Sequence, residues 1–254
     1  MPEPSVLVRE DYADLSRAAA DIVETRIAER PELNLLAATG NTPMGLYAEL
    51  VRRGETGTLD ASGVHVFQLD EYAGVGIEDR RSLLGWLVRS FTAPLGIPED
   101  RIVRLDTGME PDTACAAFEE RLREAGGFDL AILGIGANGH LGFNEPPSDA
   151  DARTREVALS DESVLTSAAY WGDANAVPRR ALTVGMRDLL ASREILLLAS
   201  GASKRAIVRR ALHGAVTPGV PASFLQDVER VTAVVDRAAW CDEGEPRAEQ
   251  EEPA

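Results

Sequence analysis

The 254-residue chain contains little cysteine, little basic charge and no long hydrophobic run. Its two cysteines, Cys115 and Cys241, lie far apart without the spacing of metal ligands, which favours a reducing compartment and no structural disulfide. No apolar run approaches the length of a membrane-spanning helix, and the first residues lack the cationic and apolar regions of a secretory signal. The sequence therefore predicts a soluble, cytoplasmic protein.

Acidic residues outnumber basic ones, and the formal net charge is −16 at pH 7. Such a charge repels nucleic acid and anionic membranes, so neither is expected as a partner. Arginine supplies all but one of the 26 basic residues, and the exception, Lys204, follows an apolar run at 195–199. Lys204 is either a surface residue left by chance or part of a site that needs a compact ammonium group.

Short apolar runs alternate along the chain with amphipathic stretches. Strands are predicted at 33–38, 64–69, 130–133, 195–199 and 231–235, and helices at 12–29, 44–53, 82–91, 112–124 and 204–212. Strands rich in Val, Leu and Ile with helical connections are typical of a parallel sheet covered on both faces. The predicted fold is a single α/β domain with a Rossmann-like, mostly parallel sheet.

Two segments depart from this alternation. Residues 148–178 are polar and lack clear periodicity, so they form either a lid over the site or an ordinary surface excursion. Residues 242–254 are strongly acidic and are predicted to be a disordered tail. The domain is therefore expected to span residues 1–241.

The first predicted strand is followed by Thr39, Gly40, Asn41 and Thr42, directly before a helix with proline in its first turn. Backbone N–H groups and hydroxyls at a helix N-terminus can form an anion-binding cup. The same residues can also form a plain N-cap turn without a ligand.

The second predicted strand ends in two acids, Asp70 and Glu71. Acidic side chains at the carboxyl end of an apolar strand are poor core residues. One of them could point into a cleft and act as a base, while the other pairs structurally. Alternatively, both are solvated loop acids.

The third loop, residues 134–146, contains four glycines in its first nine residues together with His140 and Glu145. An imidazole and a carboxylate can both transfer protons near neutral pH, although a buried, hydrogen-bonded structural histidine is the alternative. The run also fits G-x-G-x-x-G, but Gly142 and Pro146 interrupt the helix that a dinucleotide site requires, so a nicotinamide cofactor is not expected. One histidine without a cysteine cluster also disfavours a metal site.

Together these loops resemble the glucosamine-6-phosphate deaminase family, which is related to 6-phosphogluconolactonases and galactosamine-6-phosphate isomerases. The resemblance covers roughly residues 5–240. It rests on Thr-Gly-Asn-Thr-Pro-Met (39–44), Asp-Glu-Tyr (70–72), the Gly-Asn-Gly-His-x-x-Phe-Asn-Glu-Pro region (136–146), Ala-Leu-Thr-Val-Gly (181–185) and the Lys204 loop. A lactonase would be expected to have Asp-Glu-Arg in place of Asp-Glu-Tyr.

The resemblance implies a role for each matching residue. Asp70 would take the C2 proton of the opened amino sugar, and His140 would catalyse ring opening with Glu145 and Asn138 beside it. The implied ligands of the sugar phosphate are Thr39, Gly40, Asn41, Thr42 and Lys204. The implied chemistry needs neither a metal nor a redox cofactor. The implied partner is a phosphorylated amino sugar, and because some relatives are hexamers, a homo-oligomer is an expectation.

Two departures from the family pattern bear on substrate choice. Many relatives have aspartate at the position of Asn138, and asparagine supplies no negative charge to stabilise an imidazolium, which implies a less basic His140. Relatives often carry a phosphate-binding arginine in an Asn-Ser-Arg triplet, where this chain has Ser167, Ala168 and Ala169. Galactosamine 6-phosphate, a lactone substrate and a non-catalytic sugar-phosphate sensor are therefore the alternatives to glucosamine 6-phosphate.

Overall fold

A computed structural model of the protein describes residues 3–241, so the acidic segment 242–254 lies outside the described residues. Seven parallel strands form the main sheet in the order β1-β10-β9-β6-β2-β3-β5. Their bounds are β1 Ser5–Arg9, β2 Asn34–Ala37, β3 His65–Gln68, β5 Ile102–Val103, β6 Leu130–Gly134, β9 Ile195–Ala199 and β10 Val231–Asp236.

A smaller antiparallel sheet, in the order β4-β8-β7, extends from the carboxyl end of β3. It consists of β4 Asp70–Tyr72, β7 Arg155–Ala158 and β8 Arg180–Thr183. The helices are α1 Tyr12–Glu29, α2 Asn41–Glu55, α3 Leu83–Leu87, α4 Pro111–Ala125, α5 Asp161–Trp171, α6 Met186–Leu190, α7 Arg205–His213 and α8 Arg237–Trp240. In the part of the chain described here, no helix has the length and apolarity to cross a bilayer.

Each central strand is buried on both faces because its alternate residues enter two different cores. Leu36 and Phe67 point toward the core formed with α4 and α7, whereas Leu35 and Val66 point toward the core formed with α1 and α2. The register pairs Leu36 with Phe67 and Leu35 with Val66 across β2 and β3. The predicted mostly parallel sheet with helices on both faces is confirmed.

All five predicted strands and all five predicted helices are present, with small shifts at their ends. The helix predicted at 82–91 is α3 followed by a π-helical turn at Val88–Thr92. The helix predicted from residue 44 begins at Asn41, so Asn41 and Thr42 belong to its first turn. The segment 148–178 contains β7 and α5, whose short lengths and half-exposed strand hide their periodicity.

Helices α1 and α2 are joined by a charged cluster around Arg53, which is only 9% exposed. Its guanidinium contacts the carboxylates of Asp21, Glu24 and Glu49. Removing the shared cation leaves three carboxylates close together, and the loss is more costly than that of a surface pair because Arg53 and Glu49 are largely buried, although Asp21 is exposed.

The Arg53→Met variant is expected to lose about 2–4 kcal/mol of unfolding free energy in urea denaturation at pH 7, because its carboxylates are only partly solvated. The matched change Arg123→Met removes an exposed pair on α4 and is expected to cost less than about 0.5 kcal/mol. Equal losses in the two variants would contradict the importance of the buried cluster.

The strand order reverses between β2 and β6. From β2 the chain continues to β3 and β5 at one edge, whereas from β6 it continues toward β9 and β10 at the other. In open α/β sheets, ligands bind beyond the carboxyl ends of the strands at such a reversal. The loops after β2, β3, β6 and β9 therefore converge on one place.

Candidate active site

A cleft of about 460 Å³ lies at these four strand ends. It contains seven of the nine residues predicted from the sequence: Thr39, Gly40, Asn41, Thr42, Asp70, His140 and Lys204. Asn138 and Glu145 do not line the cleft and instead contact the His140 loop from behind. The fold thus assembles side chains that are up to 165 positions apart, as Thr39 and Lys204 are, in one cavity.

The anion cup is formed by the first turn of α2. Gly40 precedes the helix with φ +102°, a conformation that glycine adopts readily, and no side chain within the described residues 3–241 caps the helix N-terminus. Tyr12 holds the turn from outside, since its hydroxyl donates to the Asn41 carbonyl at 2.8 Å and accepts from the Gly45 N–H at 2.8 Å. The first N–H groups of α2 are left available to an anion in the cleft.

Lys204 enters the cleft from the loop after β9. Its Nζ donates to the Ile135 carbonyl at 2.8 Å, and the loop is tied down by Asp236, which accepts from the Gly201 N–H at 3.0 Å. Burial lowers the pKa of Lys204, and the carboxylate of Glu162 partly opposes that shift. A partly dehydrated ammonium gains strongly from an incoming anion.

Asp70 is the first residue of β4 and lies at the floor of the cleft, only 7% exposed. Its Oδ1 is buried and has no hydrogen-bond partner within residues 3–241. Burial raises the pKa of Asp70 to about 7, and the negative charge of Glu71 adds to the rise. A carboxylate with a pKa near the working pH is suited to act as a general base.

Glu71, in contrast to Asp70, is held in place by hydrogen bonds to neighbouring backbone and side-chain groups. Its carboxylate accepts hydrogen bonds from Ser82 Oγ at 2.8 Å, from the Leu84 N–H at 2.9 Å and from the Tyr72 N–H at 2.9 Å. These donors anchor the first turn of α3 beneath the cleft. The structure therefore separates the two adjacent acids, with Glu71 fully hydrogen-bonded and Asp70 facing the cavity.

His140 is placed by the tight packing of its own loop. The Gly136 N–H donates to the His140 carbonyl at 3.0 Å, and a Cβ at Gly136 would lie 2.3 Å from the imidazole Cε1 and Nε2. The backbone of residue 136 thus covers the ring, and only glycine leaves room for the ring there. The ring lines the cleft, and its side chain is 22% exposed.

Glu145 lies behind the ring, with its Oε2 3.4 Å from His140 Nδ1. The Asn138 side-chain amide donates to Oε2 at 2.9 Å, and the Asn138 Oδ1 accepts from the His140 backbone N–H at 3.2 Å. Asn138 therefore acts on the imidazole through Glu145 and the loop backbone.

The amino end of α5 completes the environment of Glu145. The side chains of Ser160, at 3.1 Å, and Ser163 donate to Oε1. Burial by itself would raise the pKa of Glu145, but His140 and the hydrogen bonds from Ser163 and Asn138 outweigh it and lower the pKa to about 2. Glu145 is consequently an anion near neutral pH, and it contacts both His140 and α5 of the segment 148–178.

The Asn138→Asp variant is expected to shift the pH–rate profile to higher pH, because a second carboxylate beside Glu145 stabilises a protonated imidazole. The profile of kcat/KM between pH 5 and 9 measures this shift. A profile identical to that of the wild-type protein would contradict the coupling of Asn138 to His140.

Sequence reasoning missed several residues that line the cleft. They are aromatic and basic side chains from the segments around α3 and α5, namely Arg80, Arg81, Trp86, Tyr170 and Trp171. They lie in loops and short helices without a motif. Across residues 3–241, no three His, Cys, Asp or Glu side chains converge as a metal site would require.

Comparison with known families gives a match over residues 9–234 to the model described as glucosamine-6-phosphate isomerases/6-phosphogluconolactonase. The chain belongs to this family. A solved structure of a monomeric glucosamine-6-phosphate deaminase is 35% identical and superposes with a TM-score of 0.90, covering 92% of this chain and 98% of that one. The family assignment made from the loops is therefore confirmed.

Two curated relatives of the chain are also named as glucosamine-6-phosphate deaminases. Glucosamine-6-phosphate deaminase 2 of Bacillus subtilis (strain 168) is 39% identical over 238 residues, covering 92% of this chain and 95% of the relative. Glucosamine-6-phosphate deaminase of Halothermothrix orenii is 38% identical over 236 residues, covering 92% and 98%.

The lactonase branch shares the fold at greater distance. The 6-phosphogluconolactonase of Thermotoga maritima is 23% identical with a TM-score of 0.73, covering 91% of this chain and 99% of that one. Identity at this level establishes a common fold and nothing about the substrate.

Proposed function

We propose that the protein converts glucosamine 6-phosphate and water into fructose 6-phosphate and ammonia, as a step of amino-sugar catabolism. The observation that carries the proposal is the buried Asp70 carboxylate, which lines the same cleft as His140 and Lys204 and whose Oδ1 has no hydrogen-bond partner among residues 3–241. A sugar-phosphate binder would need the anion cup but no tuned base beside it.

In the first step, His140 moves the proton that opens the sugar ring and exposes the C1 aldehyde. Its ring faces the cleft while Glu145 lies behind it and supports the protonated imidazole. The pairing resembles the base–orienter pairs of other hydrolytic sites, in which an anion fixes the imidazole.

In the second step, Asp70 removes the C2 proton. The neighbouring aldehyde makes that proton acidic, and the electrons left at C2 form an enolamine across C1 and C2. Because the pKa of Asp70 is raised to about 7, the carboxylate binds the proton firmly enough to take it and weakly enough to return it. Protonation of C1 then leaves an imine at C2.

In the third step, water adds to C2 and the nitrogen leaves as ammonia, which gives the ketose phosphate. C1 is reduced from an aldehyde to an alcohol while C2 is oxidised to a ketone, so the reaction needs no external oxidant or reductant. The N-terminal turn of α2 and Lys204 hold the phosphate throughout, which keeps C2 over Asp70.

The direct test is incubation with glucosamine 6-phosphate and, separately, galactosamine 6-phosphate, with ammonia and ketose phosphate both quantified. The proposal requires equal amounts of the two products from the gluco substrate. Turnover of the galacto epimer alone would retain the mechanism and change the substrate. Tight binding of both sugars without ammonia would identify a sensor and refute the proposal.

A further inference from the structure

Arg80 lies in the turn between β4 and α3 and lines the cleft with an exposed side chain. Among residues 3–241, no carboxylate lies within salt-bridge distance of its guanidinium. Within the described part of the chain, its one hydrogen bond is made by its backbone carbonyl, which accepts from the Arg89 guanidinium at 3.0 Å. Arg80 therefore lines the cleft with a guanidinium whose donors have no protein partner among residues 3–241.

The neighbouring Arg81 has its charge already matched. Its guanidinium donates to both oxygens of Asp79, at 2.9 and 2.6 Å, and stacks 4.3 Å from the centroid of the Trp171 ring. Hydrogen bonds from Arg81 are the main cause that lowers the pKa of Asp79 to about 2, and the charge of Arg80 makes the last of the contributions in that direction, so the carboxylate stays charged and bound to Arg81. The acid nearest to Arg80 in sequence is thus already engaged.

The position of Arg80 relative to the anion cup is set by α3. Trp86 of α3 also lines the cleft, and its ring packs 6.1 Å from that of Tyr47 on α2. Residues 80–86 and the first turn of α2 therefore form adjoining walls of the cavity. The wall formed by residues 80–86 continues at Arg80 and Arg81 into a shallow recess shared with Ala169 of α5.

Ala169 occupies the third position of the triplet in which the family resemblance implies a phosphate-binding arginine. A methyl side chain cannot donate a hydrogen bond, yet Arg80 lines the same recess from the opposite segment. A guanidinium in this place provides planar, bidentate donors for a phosphoryl oxygen pair.

Resting on the proposed function, we infer that Arg80 binds the phosphoryl group of the substrate and determines the preference for phosphorylated over unphosphorylated amino sugars. Lys204 and the N-terminus of α2 contact one side of the phosphoryl group and Arg80 the other. A protein with net charge −16 thus places two basic side chains, Lys204 and Arg80, along the cleft where an anion must bind.

The experiment compares the wild-type protein with Arg80→Gln, Arg80→Lys and the matched control Arg121→Gln, whose arginine is exposed on α4 outside the cleft. Steady-state kinetics with glucosamine 6-phosphate measure KM and kcat. Calorimetric titration with inorganic phosphate measures anion binding without turnover, and thermal melting verifies folding.

Arg80→Gln is expected to raise KM and the dissociation constant for phosphate by about 10- to 100-fold, as loss of a charged hydrogen bond does. The change in kcat should stay within about threefold, because the contact is the same in ground and transition states. Arg80→Lys should recover part of the loss, and Arg121→Gln should match the wild-type protein.

Unchanged phosphate affinity in Arg80→Gln, or no saturable phosphate binding by the wild-type protein, would overturn the assignment. So would a fall in kcat at constant KM. If the wild-type protein releases no ammonia, the proposed function fails, whereas the phosphate titration still decides whether Arg80 binds the anion.

Discussion

Asp70→Asn is expected to lower kcat for glucosamine 6-phosphate by about 10²- to 10⁴-fold, the usual contribution of a general base. The amide is close in size to the carboxylate and cannot accept the C2 proton, so KM should change little. The control Asp106→Asn alters a partly exposed acid beyond the end of β5, outside the cleft, and should leave kcat intact. Ammonia release measures both variants.

The role of Asp70 also predicts the direction in which the reaction rate changes with pH. Asp70 must be ionised to act, and its pKa is raised to about 7 by burial and by Glu71. The rate should therefore increase with pH below about 7 and level off above it. An Asp70→Asn variant with the wild-type rate, or a wild-type rate that is flat from pH 5 to 8, would contradict the assignment of the base.

The raised pKa also has a cost in stability. Asp70 holds its proton more tightly in the folded protein than in the unfolded chain, whose value is near 3.8. The resulting stabilisation is complete below that pH and is lost as pH rises through about 7. At pH 8–9 the unfolding free energy of Asp70→Asn should therefore exceed that of the wild-type protein. The difference should reach at most about 4 kcal/mol, because each unit of pKa shift corresponds to about 1.4 kcal/mol. Urea denaturation of the wild-type protein and of Asp70→Asn at pH 8–9 measures this difference in unfolding free energy.

Gly136→Ala is expected to lower kcat/KM by about 10²-fold or more, because small displacements of a reacting group have effects of this size. The new Cβ would lie 2.3 Å from the His140 imidazole, and the ring is the part that can move. The backbone at Gly136 is outside the left-handed region, so alanine itself fits the main chain.

The matched control is Gly219→Ala. That Cβ would meet only Thr217 Oγ1 at an ordinary contact distance of 3.7 Å, in an exposed turn. It should retain wild-type kcat/KM, and both variants should melt near the wild-type temperature. Full activity in Gly136→Ala would show that the ring of His140 need not stay where the loop holds it.

The sequence predicts the centre of the fold well, because the central strands are continuous apolar runs that only a doubly covered sheet can bury. Ile195–Ala199 and Tyr12–Glu29 have the predicted bounds. The small sheet escaped prediction because its strands are only three or four residues long. Arg155–Ala158 is also charged and half-exposed, so it has the composition of a loop.

The sequence predicted which loops form the candidate site, but it did not predict the orientations and hydrogen bonds of the side chains in them. Asp70 and Glu71 are chemically alike in the sequence, and only the donors of α3 around Glu71 distinguish the structural acid from the free one. The contribution of Ser163 to Glu145 depends on how α5 packs over the loop. Arg80 has no motif at all, and its relevance follows from the engagement of Asp79 by Arg81.

The most direct test of the central claim follows the fate of the C2 hydrogen. Glucosamine 6-phosphate labelled with tritium at C2 is incubated with the wild-type protein and with Asp70→Asn, and tritium is measured in water and at C1 of the product. If Asp70 is the base, the wild-type protein releases or transfers the label as ammonia forms, and Asp70→Asn does neither at a comparable rate. Loss of the C2 label at the wild-type rate from Asp70→Asn would contradict the account.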